Sequence, residues 1–312
     1  MSGIIAVNYP YMTDERLAKI KAAAHGFKVV GDDALSECEI FFGDINADKL
    51  CRAKKLKWFH SASAGVDRYL APGVLASSVI LTGSAGMYNI AISEHLLGFT
   101  IMLMRQLHSY QKLQTQHKWG HLGSAKSIYQ SLITVVGLGG IGGRYAASCK
   151  ALGATVRGVV RKPRSIIPDC VDALFTAHQL DEAIVGADVV ALTLPGTAET
   201  VKLFDKNRML KMKKGSYILN VGRGSAIEQD ALIELLENGH LGGAGLDVTA
   251  PEPLPNNSKL WDLPNVILTP HSSGKDNLPV TSELIFNRFI DYLRDYIAGR
   301  PFKQVVDREA GY

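Results

Sequence analysis

The sequence predicts an α/β chain of two doubly wound parallel sheets with a cleft between them. Three observations carry that expectation. Short apolar runs recur without polar alternation, helix-like segments separate them, and one long helical stretch divides an earlier alternating region from a later one. Strands buried on both faces read as continuous apolar runs, and connection through helices makes a sheet parallel. A chain of 312 residues is too long for one typical domain and comfortable for two.

The elements follow in order. Residues 3–8 (GIIAVN) form a first strand, and Thr13-Asp14-Glu15 supplies an N-cap and first-turn acids for a helix ending near His25-Gly26. Further strands are expected at 27–30, 40–42, 57–60 and 79–82. Residues 90–118 then read as one helical stretch up to Trp119-Gly120. The second region has strands at 132–136, 154–160, 189–194, 217–221, 245–248 and 266–268. A final amphipathic helix over 280–297 stops at Gly299 and Pro301.

Composition narrows the function. Hydrophobic residues make up 46% and charged residues 21%, which excludes a disordered or fibrous chain. The net charge of +4 comes from scattered cations such as Lys54, Lys55, Lys57 and Lys211, Lys213, Lys214, so no nucleic-acid partner is expected. Cys38, Cys51, Cys149 and Cys170 show neither CxxC nor zinc spacing, and no metal is expected. The first residues lack a signal-peptide pattern. The apolar stretch 96–104 is less than half the ~20 residues of a membrane span, so the expectation is a soluble cytoplasmic protein without a membrane partner.

The most informative segment is 132–142, LITVVGLGGIG. A β-branched strand runs into Gly137-x-Gly139-Gly140-Ile141-Gly142, and a helix follows. Gly137 permits the tight turn, Gly139 lets a pyrophosphate approach the backbone, and Gly142 lets helix and strand pack closely. The helix N-terminus offers N–H groups and a positive dipole end to phosphate. This predicts a Rossmann dinucleotide site. About 20 residues on, a carboxylate would bind the ribose of NAD, yet Arg161 stands 19 residues after Gly142, with Lys162 and Arg164 beside it. Arginine pairs with a 2′-phosphate that a carboxylate would repel, so NADP(H) is favoured over NAD(H).

Three later segments put polar groups at strand ends: Asn220-Val221-Gly222-Arg223-Gly224, the run Asp247 to Pro253 containing Glu252, and Thr269-Pro270-His271. Carboxyl ends of neighbouring parallel strands face one crevice, so Arg223, Glu252 and His271 are expected to converge. Taken singly, each is equally readable as a surface turn, a strand terminator or a solvated cation.

With the glycine loop, these motifs closely resemble the D-specific 2-hydroxyacid dehydrogenase family. The resemblance covers most of the chain and includes Ser63-Ala64-Gly65-Val66-Asp67, Ser93-Glu94-His95, GLGGIG, Leu194-Pro195, NVGRGS, GLDVTAPEPL and TPH. It implies an oxidoreductase interconverting a small 2-oxo acid and its D-2-hydroxy acid. Arg223 would hold the substrate carboxylate and polarise the 2-oxo group, while His271 would exchange a proton with the oxygen. Glu252 would orient His271 and stabilise its protonated form. The Ala64-Gly65-Val66 backbone would offer N–H groups to the carboxylate. Leu194, Pro195 and Val221 would line the cofactor site, and Asp247 would lie near the nicotinamide carboxamide or serve as a strand cap. Tyr88, between Met87 and Asn89, would select substrate size or pack a hinge.

The resemblance also implies a flavodoxin-like substrate domain, 1–98 completed by 280–312, a Rossmann domain over 99–279, and a homodimer. Ser272-Ser273-Gly274 departs from the apolar residue often found beside this histidine. A cofactor-binding corepressor of the same fold is the rival reading. A methyltransferase, which has no use for the Arg/Glu/His set, is disfavoured.

Overall fold

The computed structural model describes residues 3–274 and 278–309. In chain order the first elements are β1 (Ile4–Asn8), α1 (Asp14–Ala23), β2 (Lys28–Gly31), β3 (Ile40–Gly43), α2 (Ala47–Leu50), β4 (Trp58–Ser61), α3 (Asp67–Leu70) and β5 (Ile80–Thr82). There follow α4 (Asn89–Met104), α5 (Leu107–Thr115), β6 (Leu132–Val136), α6 (Gly140–Ala151), β7 (Thr155–Val160), β8 (Ala173–Thr176), α7 (Leu180–Ile184) and β9 (Val189–Leu192). Then come α8 (Lys206–Leu210), β10 (Ser216–Asn220), α9 (Gln229–Glu237), β11 (Leu241–Leu246), β12 (Val266–Leu268) and α10 (Pro279–Ile297).

Two compact units emerge, Met1–Tyr88 with Asp276–Tyr312, and Asn89–Lys275. The sequence expectation put the first boundary at 98/99. It falls at 88/89 because α4 packs in the second unit, with Phe99 against Gly245 and Leu103 against Gly243.

The first unit holds a five-stranded sheet in the order β2-β1-β3-β4-β5, all pairs parallel. Alternation along β3 and β4 sends Phe41 and Phe59 into one core with Leu50, Val66, Tyr69 and Leu81. Phe42, Trp58 and His60 face α10 instead, where the Phe42 and Phe289 rings stack at 4.0 Å. Local signals set the helix ends: the Thr13 hydroxyl accepts from Arg16 N–H, Pro279 opens α10, and Gly299 follows it at φ 65°.

His60 is fully buried in that aromatic layer. Its Nδ1 hydrogen-bonds with the Thr82 hydroxyl at 2.7 Å, which also accepts from the Trp58 indole N–H at 2.9 Å. Burial, aided by the charge of Arg288, pushes the imidazole down to about 3 from an ordinary 6.5. A group whose folded pKa is depressed stabilises above its unfolded pKa and destabilises as pH falls below it. Between about pH 6.5 and 3 this histidine should cost about 1.4 kcal/mol per pH unit. Chemical denaturation from pH 7 to pH 4 should therefore show one proton more of acid sensitivity in the parent than in His60→Phe. Equal slopes would remove the assignment.

The second unit has seven parallel strands in the order β12-β11-β10-β9-β6-β7-β8. The order reverses between β6 and β9, so the loop after β6 opens at a topological switch point, where open α/β sheets bind ligands. The core lies around Val136, Val190, Leu192, Ile218, Leu232, Leu246 and Phe204.

Three details differ from the sequence expectation. The stretch 90–118 breaks at Gln106, whose left-handed backbone (φ 57°) ends α4, its side chain donating to Ser124 O. The strand expected at 245–248 is β11, shifted earlier and rich in glycine where Phe99 and Leu103 press on it. The edge strand β8 was not expected at all. Among the described residues no helix is long and apolar enough to cross a membrane.

Candidate active site

At the carboxyl end of β6 the chain turns at Gly137 (φ 100°), whose N–H donates to Val159 O on β7. The Thr193 hydroxyl, just after β9, donates to Gly137 O at 2.6 Å and ties the two sides of the switch point. A Cβ on Gly142 would collide with that same carbonyl, so glycine is required for α6 to start this close to β6. Gly139 is the exposed N-cap of α6, with no side-chain cap and open space where a Cβ would stand. Gly140 is exposed beside Asn89, and Ile141 is half-buried. An exposed, uncapped helix start built of glycine is a cradle for a pyrophosphate, and these residues fit a dinucleotide.

Beyond β7 the expected carboxylate is missing. Arg161 and Lys162 are exposed, and Arg164 curls back to donate to Leu138 O at 3.1 Å, inside the glycine loop. Across the switch point Leu194 is half-buried against Gly137 and Gly222, Pro195 is exposed, and Val221 is buried.

Three adjacent strand ends carry the catalytic candidates. After β10 the Asn220 amide accepts from Gly222 N–H and donates to Arg223 O, both at 3.0 Å, a turn that fixes where the arginine leaves the backbone. The stem of Arg223 runs over Gly196 and its guanidinium donates to Gly222 O at 3.0 Å. Gly224 leaves no room for a Cβ against the Thr249 backbone, which locks the β10 and β11 loops together.

After β11 and β12, His271 Nδ1 lies 2.8 Å from Glu252 Oε2. An ionised carboxylate only accepts, so Nδ1 carries the proton toward Glu252. The other Glu252 oxygen accepts from Thr249 N–H at 3.1 Å. The His271 side chain is 49% exposed and that of Glu252 38%, so the pair is open to solvent.

His271 has φ 49°, a left-handed conformation costly for a residue with a Cβ, and its surroundings hold it there. Its N–H donates to Asp247 O at 2.8 Å. The Asp247 carboxylate, 1% exposed, accepts from Ser272 N–H at 2.8 Å, Ser273 N–H at 3.1 Å and the hydroxyls of Thr269 and Ser273. Of the two readings open for Asp247, this geometry supports the cap of the histidine loop. At 273 an apolar residue would keep the backbone N–H bond to Asp247 but lose the hydroxyl that donates to its Oδ2. His95 Nε2, 3.0 Å from Thr269 Oγ1, closes the far side of the network, and burial holds its imidazole below the ordinary value against the pull of Asp247. Asn220, Gly196 and Thr269 were not singled out as site residues; only the Asn-x-Gly turn pattern hinted at the first.

In the first unit, Ala64 is exposed, Gly65 half-buried and Val66 buried. Tyr88 is 6% exposed and its hydroxyl donates to Ala62 O at 2.7 Å, so it braces that loop.

The pattern that defines "D-isomer specific 2-hydroxyacid dehydrogenase, NAD binding domain" matches residues 97–273. The chain belongs to the D-isomer specific 2-hydroxyacid dehydrogenase family. It is an NAD(P)-dependent enzyme of that family. A D-isomer specific 2-hydroxyacid dehydrogenase family protein from Aeromonas salmonicida is similar at 30% identity and TM-score 0.88, over 99% of this chain and 100% of that one. The NADPH-dependent glyoxylate/hydroxypyruvate reductase of Sinorhizobium meliloti, solved with NADP and sulfate, is 27% identical with TM-score 0.83 over the whole of both chains. A D-3-phosphoglycerate dehydrogenase of Synechocystis is 32% identical over 83% of this chain. The chain spans 46% of that relative's length.

Proposed function

We propose that this enzyme reduces a small 2-oxo acid to the D-2-hydroxy acid with NADPH. The observation that carries the reading is the His271–Glu252 pair, held by Asp247 beside the Arg223 turn, in the unit that has the glycine cradle. The guanidinium of Arg223 pairs with the substrate carboxylate and draws electron density from the 2-oxo group. When bound at the glycine loop, the nicotinamide supplies a hydride to the carbonyl carbon. His271 passes the proton on Nε2 to the oxygen, and Glu252 balances the charge while the ring is protonated. In oxidation His271 takes that proton back. The backbone N–H groups of Ala64, Gly65 and Val66 belong to the same proposal as further donors to the carboxylate. So does a homodimer, which would cover the exposed Trp119 and Leu107.

The preference for NADPH rests on Arg161, Lys162 and Arg164 in place of an acid. It is supported by the Sinorhizobium reductase, which was solved with NADP. A charge-assisted hydrogen bond is worth about 1.5–3 kcal/mol, so the loss of one should change affinity about tenfold or more. The test is a panel of 2-oxo acids, glyoxylate and hydroxypyruvate first, with NADPH and NADH and chiral analysis of the product. NADPH should be favoured at least about tenfold in kcat/KM, and Arg161→Asp should collapse the ratio, with high salt shrinking it as well. Equal use of both cofactors by the parent would remove the NADPH assignment, and an L-product would remove the stereochemical one.

A further inference from the structure

We propose that Asp44 is a positioning residue for the substrate, acting through the loop 61–66; the inference rests on the reading of that loop as a carboxylate receptor. The evidence begins with a hydrogen-bond account of the loop. Ala62 N–H donates to Gly43 O and Ser63 N–H to Ser61 Oγ. The carbonyls of Ser61, Ala62 and Ser63 accept from Ser84 Oγ, Tyr88 OH and Ser84 N–H. Among the described residues, the next three N–H groups, on Ala64, Gly65 and Val66, have no hydrogen-bond partner. A loop tied at its first half thus leaves three successive donors uncommitted in its second, among the described residues.

One carboxylate adds to the ties on the first half. Ser61 Oγ donates to Asp44 Oδ1 at 2.8 Å and Ser63 Oγ donates to Oδ2 at 2.7 Å. The two hydroxyls flank Ala62, so a single acceptor-only group with two oxygens fixes both sides of the bend. Asp44 is itself fixed at the point where the sheet order reverses. Its N–H donates to Asn8 O at 3.2 Å and its carbonyl accepts from the Asn8 amide at 3.0 Å. Gly43 at φ 121° allows that approach, since a Cβ there would strike the Asn8 carbonyl.

A carboxylate close to a receptor for carboxylates would repel its ligand. Arg68 removes the conflict, pairing with Asp44 Oδ1 at 3.1 Å while it also donates to the Tyr69 hydroxyl at 2.8 Å. Asp44 therefore acts through geometry with its charge balanced, and it touches no substrate atom.

Asp44→Asn keeps the size but loses one of the two acceptor oxygens; Ser63→Ala removes only one hydroxyl and should fold in any case. The readouts are the KM for the 2-oxo acid, the KM for NADPH, kcat, and the Kd of oxamate, an unreactive carboxylate mimic of such acids, measured in the presence of NADPH. Both variants should raise the 2-oxo acid KM and the oxamate Kd, about tenfold for Asp44→Asn, with kcat and the NADPH KM near the parent's. A role in stability alone would lower the melting temperature and leave the ratio of the two KM values unchanged. Parental 2-oxo acid KM and oxamate Kd in both folded variants would overturn the proposal. Turnover by the parent tests the functional reading separately, because the oxamate titration needs none.

Discussion

His271→Ala is expected to lower kcat about 10²–10⁴-fold while the KM for NADPH barely changes. The size of the loss follows from its position as the proton donor, with Nδ1 committed to Glu252 at 2.8 Å and only Nε2 available. The cofactor should be indifferent, because the glycine loop is built from β6, α6 and the end of β9, and no bond joins it to the imidazole among the described residues. Glu252→Gln should fall between the parent and His271→Ala, since the amide keeps the position but not the charge that balances an imidazolium. Stopped-flow hydride transfer and fluorescence titration of NADPH separate the two quantities. A folded His271→Ala enzyme with near-parental kcat would eliminate this histidine as the acid.

The histidine also shows which parts of the molecule were legible in the sequence. That Glu252 meets His271 was legible because each follows an apolar run, and parallel strands align their carboxyl ends. The glycine loop was legible for a similar local reason: strand, turn and helix start are contiguous over 132–142. What escaped depended on contacts between distant residues. Gly242 and Gly243 fell outside the expected strand because glycine is a poor strand former, and Gly243 is explained by the packing of Leu103. The strand β8 has four half-buried residues at a sheet edge, too weak a pattern to stand out. In the site, Asp247 was expected near the nicotinamide carboxamide, with a strand cap as the alternative, until its four donors from the 269–273 loop were in view. Arg164 could be assigned to the region after β7, but not to the carbonyl of Leu138, 26 residues earlier.

Arg223 should be the most sensitive position for catalytic efficiency. A planar fork making two charge-assisted bonds to a carboxylate contributes about 1.5–3 kcal/mol per bond, so Arg223→Ala should lose about 10²–10⁴-fold in kcat/KM. Arg223→Lys keeps the charge but offers a single point donor on a shorter reach, so it should recover only part of that loss. The turn itself should survive both substitutions, because Asn220 holds Gly222 N–H and Arg223 O through backbone atoms alone. Added guanidinium should restore some activity to the alanine variant and none to the lysine variant, whose side chain fills the space. If kcat falls with the KM for the 2-oxo acid unchanged, the arginine acts chiefly on the reacting carbonyl; if KM rises with kcat unchanged, it serves binding. Gly196 offers an independent check on the same geometry. A Cβ there would lie 3.0 Å from Arg223 Cγ, so Gly196→Ala should shift the stem slightly and raise the 2-oxo acid KM by less than either arginine substitution. Parental kcat/KM in a folded Arg223→Ala enzyme would mean that another cation anchors the substrate.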